Sequence, residues 1–243
     1  MNSMSSIMFS TSEPFRRVVD LYMDNKLCQL RKFRLIVRQH AYTFKFAGAI
    51  AKGGNGTVDK FLYRTSSGVT VECAVKTQVI EEHHRRLVIP EKELVQAVYT
   101  ANSTKRTDNF VVFLGEFHTM SKHMYFYMMP VMEDRIHTIF ARKFTPVQIS
   151  KLCHDILRSI LHQVLDLYHI NALYKYCDLK LENVLFSYNQ ASNNIRVQIC
   201  DYGGAIPILH PTFQCAYMST YPPPEHVQHA GIIPCTTSQD FLR

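Results

Sequence analysis

Alternation of apolar and polar residues fills much of the first half of the chain, and a helical pattern fills part of the second. The alternation predicts five strands, at residues 42–50, 58–64, 68–79, 109–117 and 123–129. Pro90 opens a predicted helix that runs to about residue 100. Residues 145–169 carry apolar side chains at the spacing of a long amphipathic helix. A strand-rich half followed by a helical half predicts an α+β chain of two unlike lobes with a cleft between them.

The first 41 residues form a segment with a pattern of its own. Ser12 and Pro14 suit the N-cap and the first turn of a helix, and apolar residues then recur at helical spacing to about residue 40. The later part of the segment is basic, with Lys26, Arg31, Lys32, Arg34 and Arg38. We therefore predict an N-terminal extension, residues 1–41, that forms a basic amphipathic helix. This helix could contact nucleic acid or an anionic membrane, or it could pack on the next domain with a solvated basic face.

The composition favours a folded intracellular protein. Apolar residues make up 47% of the chain and charged residues 19%, a balance that excludes disorder throughout. No apolar run approaches the roughly eighteen residues of a membrane-spanning helix, and we expect no secretory leader. The seven cysteines include no C-x-x-C pair, which disfavours a disulfide framework and a cysteine-rich zinc site. We therefore expect a cytoplasmic or nuclear location, and the net charge of +7 is compatible with polyanionic partners.

Glycine is scarce, and five of the nine glycines fall in two clusters. The first cluster belongs to the run AKGGNGTV, residues 51–58, which lies between two predicted strands. Because glycine has no side chain, the amide groups of such a hairpin can approach phosphate oxygens closely. The alternative is a flexible hairpin that binds no ligand.

Two charged residues lie within otherwise apolar elements. On the third predicted strand, Ala74 and Lys76 share one face, and Cys73 and Val75 share the other. In the first turn of the predicted helix, Glu91 lies on the side of the apolar residues. A carboxylate in such a position requires a cation, for which Lys76 is the candidate. The alternatives are a solvated lysine and a first-turn glutamate that favours the helix dipole.

Three polar motifs follow the long predicted helix. YCDLKLENVLF, residues 176–186, places Asp178, Lys180 and Asn183 in a loop before an apolar stretch. VQICDYG, residues 197–203, is an apolar strand that ends in Asp201, an aromatic residue and a glycine. YPPPE, residues 221–225, is the last of the three.

In this order and spacing, the motifs resemble the signature set of the eukaryotic protein kinases, from about residue 42 to the C-terminus. The resemblance implies the two-lobe kinase fold. Residues 42–131 would form an ATP-binding N-lobe with a five-stranded antiparallel sheet and one helix, and residues 132–243 a mainly helical, incomplete C-lobe. Lys180, two residues after Asp178, resembles the serine/threonine kinases. The implied activity is therefore that of a serine/threonine protein kinase.

The resemblance also implies a role for each matching residue. Asp178 would accept the proton of the substrate hydroxyl, and Lys180 would steady the transferred phosphoryl group. Asn183 and Asp201 would hold Mg²⁺, which prefers oxygen ligands. ATP and Mg²⁺ are the implied cofactors, and a protein with a serine or threonine acceptor is the implied substrate. The residues implied to bind ATP are Ala51, Lys52, Gly53, Gly54, Asn55, Gly56, Thr57, Val58, Ala74, Lys76, Glu91, Met128, Met129, Val131 and Leu185.

Several residues depart from the kinase pattern. Tyr176 and Cys177 replace the usual His-Arg, Tyr202 replaces the usual phenylalanine, and Pro223 replaces the alanine of the last motif. The arginine of the family pairs with a phosphorylated activation loop, which Cys177 cannot do. We therefore do not expect activation by that route.

The end of the chain is the largest departure. Asp240 stands where the family begins a long buried helix, and the sequence ends at Arg243. We therefore expect Ile156, Ile160 and Val164 to be partly uncovered, and a partner or additional C-terminal residues to be needed to cover them. The alternative function is that of a catalytically weak or inactive kinase-like protein that binds another kinase or competes with it. Small divergent kinases of large DNA viruses are similar in size.

Overall fold

The structure, a computed structural model, describes residues 16–24, 29–37, 40–53, 56–80, 85–104, 111–118, 123–170, 174–176 and 178–207. The chain divides into two compact units. The first consists of Met1–Val88, Tyr99–Arg106 and Phe110–Val131, and the second of Ile89–Val98, Thr107–Asn109 and Met132–Arg243. No helix among the described residues has the length and apolar character needed to cross a membrane.

An antiparallel sheet of seven strands dominates the described part of the first unit. The strands are β1 (Arg16–Asp24), β2 (Gln29–Val37), β3 (His40–Lys52), β4 (Gly56–Arg64), β5 (Thr70–Val79), β6 (Val112–His118) and β7 (His123–Pro130). Their spatial order is β1-β2-β3-β4-β5-β7-β6. Strands β3 to β7 correspond to the five predicted strands with shifted ends. The prediction of a five-stranded sheet is therefore wrong, because the sheet also contains β1 and β2.

The predicted N-terminal helix is also wrong, because the described part of that segment forms β1 and β2. The ring of Phe33 in β2 stacks on Phe44 of β3 at a centroid distance of 4.6 Å and lies 5.5 Å from the ring of Phe61 in β4. Leu35, two residues further on, is buried in the same core. Burial of alternate residues against neighbouring strands outweighs a weak helical pattern. The predicted start of the helix lies outside the described residues.

An aromatic core cluster of the first unit lies on one face of the sheet. Cys73 and Val75 of β5 belong to it, together with the stacked aromatic residues of β2 to β4. Ala74 and Lys76 do not, so the predicted division of this strand into two faces is confirmed. Burial raises the pKa of the Cys73 thiol far above its usual range, so this thiol stays protonated.

A buried carboxylate interrupts the apolar core. Asp59 of β4 is 1% exposed. Its Oδ1 accepts a 2.9 Å hydrogen bond from Gln29 Nε2 of β2, and its Oδ2 accepts a 3.3 Å bond from Thr57 Oγ1. Burial raises the pKa of Asp59, although these bonds and the nearby Arg31 oppose the shift. The charged form is therefore less favourable in the folded chain than in the unfolded chain.

We expect Asp59→Asn to stabilise the chain near neutral pH. The pKa of Asp59 is raised by folding above its ordinary 3.8, so the free energy of unfolding falls as pH rises through this range. Asparagine keeps an oxygen that can accept the Gln29 bond and carries no charge. The urea midpoint of the variant should exceed that of the wild type at pH 7, and the difference should shrink as pH falls towards 4. A difference that does not depend on pH would contradict this explanation.

Asp134→Asn is the matched control for this experiment. Asp134 is exposed, and its hydrogen bonds with Arg135 and Thr138 lower the pKa of its carboxyl. A carboxylate with a lowered pKa favours the folded state above its ordinary pKa. Its replacement by asparagine should therefore not raise the urea midpoint at pH 7.

The helix of the first half of the chain is α1, Arg85–Thr104. It begins before Pro90 rather than at it, which corrects the prediction. A proline lacks the backbone N–H and its ring crowds the preceding turn, yet the turn before Pro90 is helical. Glu91 is fully buried together with Leu94, Val95 and Val98, as the apolar stripe predicts.

Besides residues 89–98 of α1, the described part of the second unit contains a second long helix and five short strands. The helix is α2 (Pro146–Ile170), and the strands are β8 (Asp134–Arg135), β9 (Tyr174–Tyr176), β10 (Val184–Asn189), β11 (Asn194–Ile199) and β12 (Ala205–Pro207). They form a three-stranded sheet in the order β11-β10-β8 and a two-stranded sheet of β12 and β9. Helix α2 confirms the prediction for residues 145–169. The YPPPE motif and Asp240 lie outside the described residues.

Helix α2 begins at a capping box. The amide N of Gln148 donates to Thr145 Oγ1 at 3.3 Å, and Gln148 Oε1 accepts the amide N–H of Thr145 at 2.9 Å. Pro146 occupies the first helical position, where a missing N–H costs no bond. Local sequence therefore determines where this helix starts.

The apolar residues of α2 are better covered than expected. Ile156 is 6% exposed and packs with Phe186 and Val197 of the neighbouring sheet, and Val164 is 5% exposed. The expectation that these two side chains are partly uncovered is therefore wrong, and β10 and β11 supply apolar partners to Ile156. Ile160 is half-buried, as expected. The exposed large apolar residues of the helix are Val147, Ile149, Leu157 and Leu161. That a partner or further residues are needed to cover this unit stays a prediction.

Candidate functional site

The first unit places several of the residues predicted to bind ATP on the face of the sheet opposite its core. Val58 of β4 lies directly opposite Lys76 of β5, and Ala74 lies opposite Met129 of β7. The Lys76 Nζ atom lies 5.7 Å from the centre of the Tyr127 ring, a cation–π contact. The lysine therefore projects beside a small side chain, as the strand pattern predicts.

The glycine-rich hairpin joins β3 and β4. A Cβ atom on Gly56 would lie 2.2 Å from the carbonyl oxygen of Thr77 in β5, so a side chain does not fit there. The amide of Gly53 donates to the Gly56 carbonyl at 2.9 Å. Ala51, Lys52 and Gly53 are exposed and Thr57 is half-buried, whereas Gly54 and Asn55 lie outside the described residues.

The remaining residues predicted to bind ATP lie at the ends of strands. Met128 is fully buried in the core of the first unit, Met129 is buried beside Ala74, and Val131 is half-buried just after β7. Leu185 belongs to β10 of the second unit and is half-buried.

The predicted catalytic loop is organised around one carboxylate of the second unit. Asp178 Oδ2 accepts a 2.8 Å hydrogen bond from Lys180 Nζ and a 2.9 Å bond from Asn183 Nδ2. Asn183 Nδ2 also donates to the backbone carbonyl of Asp178 at 2.9 Å. The side chains of Asp178 and Lys180 are 20% and 24% exposed, so solvent-borne molecules can reach both. The structure therefore brings together the three polar residues that the motif predicts.

Asp201 lies directly after Cys200, at the end of β11. Its φ is +58°, in the left-handed region that costs a non-glycine residue about 1–2 kcal/mol. The amide of Cys200 donates to the carbonyl of Asn183 at 2.8 Å, so the two predicted metal-binding residues belong to hydrogen-bonded segments. The surrounding structure therefore holds Asp201 in a conformation that is uncommon for a residue other than glycine.

Two tyrosines connect the predicted catalytic loop to the Asp201 segment. The Tyr176 hydroxyl donates to the carbonyl of Cys200 at 2.7 Å. Its ring meets the ring of Tyr202 edge-on at 5.9 Å, and both residues are buried. Burial raises the pKa of Tyr176 well above 10, so its hydroxyl remains a donor. In the sequence these residues stood out only as departures from the kinase pattern.

Gln163 is a supporting residue that sequence reasoning missed. It is fully buried on α2. Its Nε2 donates to the carbonyl of Val197 at 2.9 Å, and its Oε1 accepts the amide N–H of Ile199 at 2.8 Å. Gln163 therefore provides hydrogen-bond partners for the unpaired edge of β11, the strand that leads to Asp201. The sequence did contain one indication of this role, since Gln163 is a polar residue beside the apolar stripe of α2.

Glu91 lies beside the Asp201 segment within the second unit. A Cβ atom on Gly203 would lie 3.5 Å from Glu91 Oε2 and 3.3 Å from Asp201 Oδ1. Lys76 belongs to the first unit. The pairing of Lys76 with Glu91 therefore stays a prediction.

The donor set of the second unit fits Mg²⁺. Asn183 donates both bonds to Asp178 from its amide nitrogen, so its Oδ1 takes no part in them and would be the oxygen ligand. The Asp201 carboxylate is a second oxygen ligand, on an exposed residue. The described residues contain no group of three His, Cys, Asp or Glu side chains suited to a metal ion. Mg²⁺ does not require one, because it commonly binds one or two carboxylates together with phosphate oxygens and water.

We expect Gly204→Ala to disturb the catalytic loop. A Cβ atom on Gly204 would lie 2.5 Å from Asp178 Cβ and 3.3 Å from the Asp178 amide nitrogen. Because both neighbours are fixed by the backbone, Asp178 must move, and a displacement of about 1 Å can cost up to about 10²-fold in turnover. The measurement is the rate of phosphotransfer, with the melting temperature as a check on folding. Wild-type turnover in the variant would show that the contact does not position Asp178.

The protein kinase domain family matches residues 44–240 of this chain. No curated protein matches the chain significantly. The matched range includes the glycine-rich hairpin, the Lys76 strand, the loop of Asp178 and the Asp201 segment. Because the match covers well over half of the sequence, the chain belongs to the protein kinase domain family.

Proposed function

We propose that this protein kinase transfers the γ-phosphoryl group of Mg²⁺-bound ATP to serine or threonine hydroxyl groups of a protein. The observation that carries the proposal is the arrangement of Lys180 and Asn183 around the Asp178 carboxylate. A carboxylate held by two donors and still partly exposed suits a base that accepts a hydroxyl proton.

Asp178 and Lys180 have complementary tasks in this reaction. Asp178 accepts the proton as the substrate oxygen forms its bond to the γ-phosphorus, and the bond from phosphorus to the ADP oxygen breaks. Lys180, already within hydrogen-bond distance of Asp178, offers its positive charge to the transferred group. Asn183 and Asp201 would hold Mg²⁺, which neutralises the charge of the phosphates when bound.

The first unit supplies the residues for nucleotide binding in this proposal. Val58 and Ala74 offer an apolar surface to the adenine ring, with Leu185 contributed by the second unit. Lys76 attracts the α- and β-phosphates, and the backbone amides of the glycine-rich hairpin contact the phosphates. These assignments rest on the family membership and on the shared sheet face of Val58, Ala74 and Lys76.

The test is a phosphotransfer assay with radiolabelled ATP and a generic basic protein, with and without a chelator of Mg²⁺. Acid hydrolysis of the product then identifies the labelled amino acid. We expect Mg²⁺-dependent label on serine or threonine. Label on tyrosine alone would contradict the acceptor class, and no label from purified wild-type chain would favour the alternative of a kinase-like binding protein.

Lys76→Met should lower the rate of this transfer at least about tenfold, which corresponds to about 1.4 kcal/mol of activation free energy. Methionine has a similar length and no charge, so the variant loses phosphate attraction but keeps its volume. Lys143→Met, which removes an exposed lysine of the second unit, is the matched control. Equal rates for the two variants would contradict the role of Lys76.

A further inference from the structure

One face of the seven-stranded sheet is basic and carries an exposed aromatic ring. Tyr22 of β1 lies directly opposite Lys32 of β2, which in turn lies opposite Lys45 of β3. The residues that alternate with them pack into the aromatic core. We define the basic face as the cations and the exposed ring among the side chains of β1 to β4 that point away from that core: Tyr22, Lys32, Arg34, Lys45, Lys60 and Arg64.

The positive charge of the basic face is only partly balanced. Arg34 pairs with Asp20 at 3.0 Å, and Lys60 pairs with Glu72 of β5 at 3.4 Å. Within the part of the chain that the structure describes, these pairs leave three exposed cations of the face without an acidic partner: Lys32, Lys45 and Arg64. The face therefore attracts anions.

Lys32 and Lys45 occupy directly opposite positions of an antiparallel pair. Like charges in this arrangement destabilise a sheet. A bound anionic group would reduce the repulsion between the two lysines. A phosphate bound to this pair would therefore stabilise the sheet.

Tyr22 adds an aromatic surface next to these cations. Its side chain is 65% exposed, although it is a large ring on a sheet that buries most of its other aromatic residues. Exposed aromatic rings among cations on a sheet are the usual platform for single-stranded nucleic acids, whose bases stack on the rings while cations contact the backbone. An anionic membrane would favour several exposed apolar residues, and an acidic peptide would gain little from a ring.

We propose that the basic face binds single-stranded nucleic acid. Lys32, Lys45 and Arg64 contact the phosphates, and a base stacks on Tyr22. Strands β1 and β2, which carry Tyr22 and Lys32, replace the basic helix predicted from the sequence, so the charge lies on one face of a sheet.

The first experiment measures fluorescence anisotropy of a labelled 20-nucleotide oligothymidylate with the full 243-residue chain. Lys45→Glu should weaken binding at least fivefold. It should also lower the slope of log affinity against log salt by about 0.7, the contribution of one phosphate contact. Lys143→Glu, an equal charge reversal in the second unit, should leave affinity within twofold of the wild type. Equal losses in both variants, or no binding by the wild type, would overturn the proposal.

The second experiment separates stacking from charge. Tyr22→Ala should weaken binding about five- to hundredfold, as expected for the loss of one stacked base, and Tyr22→Phe should restore it. Equal affinities of the alanine variant and the wild type would overturn the stacking contact. Phosphatidylserine vesicles and polyglutamate serve as competitors. The competitors are compared at equal concentrations of negative charge. If either displaces the labelled oligonucleotide more effectively than unlabelled oligothymidylate does, the proposal is wrong.

Discussion

Asp178→Asn should lower phosphotransfer by about 10²- to 10⁴-fold, the usual contribution of a general base. Oδ2 of Asp178 accepts hydrogen bonds from both Lys180 Nζ and Asn183 Nδ2. An asparagine at this position keeps both bonds only if its carbonyl oxygen takes the Oδ2 site. Its amide group then points towards the position of Oδ1 and presents N–H donors where the substrate hydroxyl needs an acceptor. The loop is preserved, and the base is lost.

Two measurements distinguish this loss from a folding defect. The melting temperature of Asp178→Asn should match the wild type, and nucleotide binding should change little. Asp155→Asn is the matched control, because it removes an equal charge from an ion pair with Lys151 on the surface of α2. A turnover of Asp178→Asn within threefold of that of the control would show that Asp178 is not the base.

Asp201→Asn should abolish the Mg²⁺-dependent part of nucleotide binding. Asp201 has φ +58°, and asparagine is among the few residues that tolerate the left-handed region. The substitution therefore removes the charge without adding backbone strain. In the wild type, Mg·ATP at about a hundred times its Kd should stabilise the chain by about 2.7 kcal/mol. For the variant, the thermal shifts with Mg·ATP and with metal-free ATP should be equal.

Asp20→Asn tests whether this effect belongs to the site. Asp20 of β1 also has a left-handed backbone, with φ +52°, and its carboxylate pairs with Arg34. The control therefore makes the same chemical change in the same conformation, but in the first unit. It should keep the Mg²⁺-dependent shift of the wild type. A wild-type shift in Asp201→Asn as well would refute the assignment of Asp201 as a metal ligand.

Local sequence predicted well those features whose residues all lie within a single strand, helix or loop. The two faces of β5 follow from alternation, which separates Cys73 and Val75 from Ala74 and Lys76. Helix α2 follows from its apolar stripe. The Asp178 loop was predictable because its three polar residues lie within six positions of one another and therefore meet over short distances.

The errors fall where a local pattern fits two structures. Residues 16–37 contain apolar spacing compatible with a helix, yet they form strands because Phe33 stacks on Phe44 and contacts Phe61. Pro90 suits a helix start, but a turn of α1 precedes it. For residues 16–37 the choice depends on burial against elements that are distant in the sequence.

The amino-acid sequence by itself determined the family, the order of its motifs and the identity of the polar residues in the candidate site. The tertiary structure decided how these residues are supported. Gln163 reaches the edge of β11 across 34 and 36 residues of sequence, and Tyr176 reaches Cys200 across 24. The left-handed backbone of Asp201 is likewise not indicated by the local sequence. Such contacts depend on which segments pack together, and that choice is made by the burial of the whole chain rather than by any local pattern.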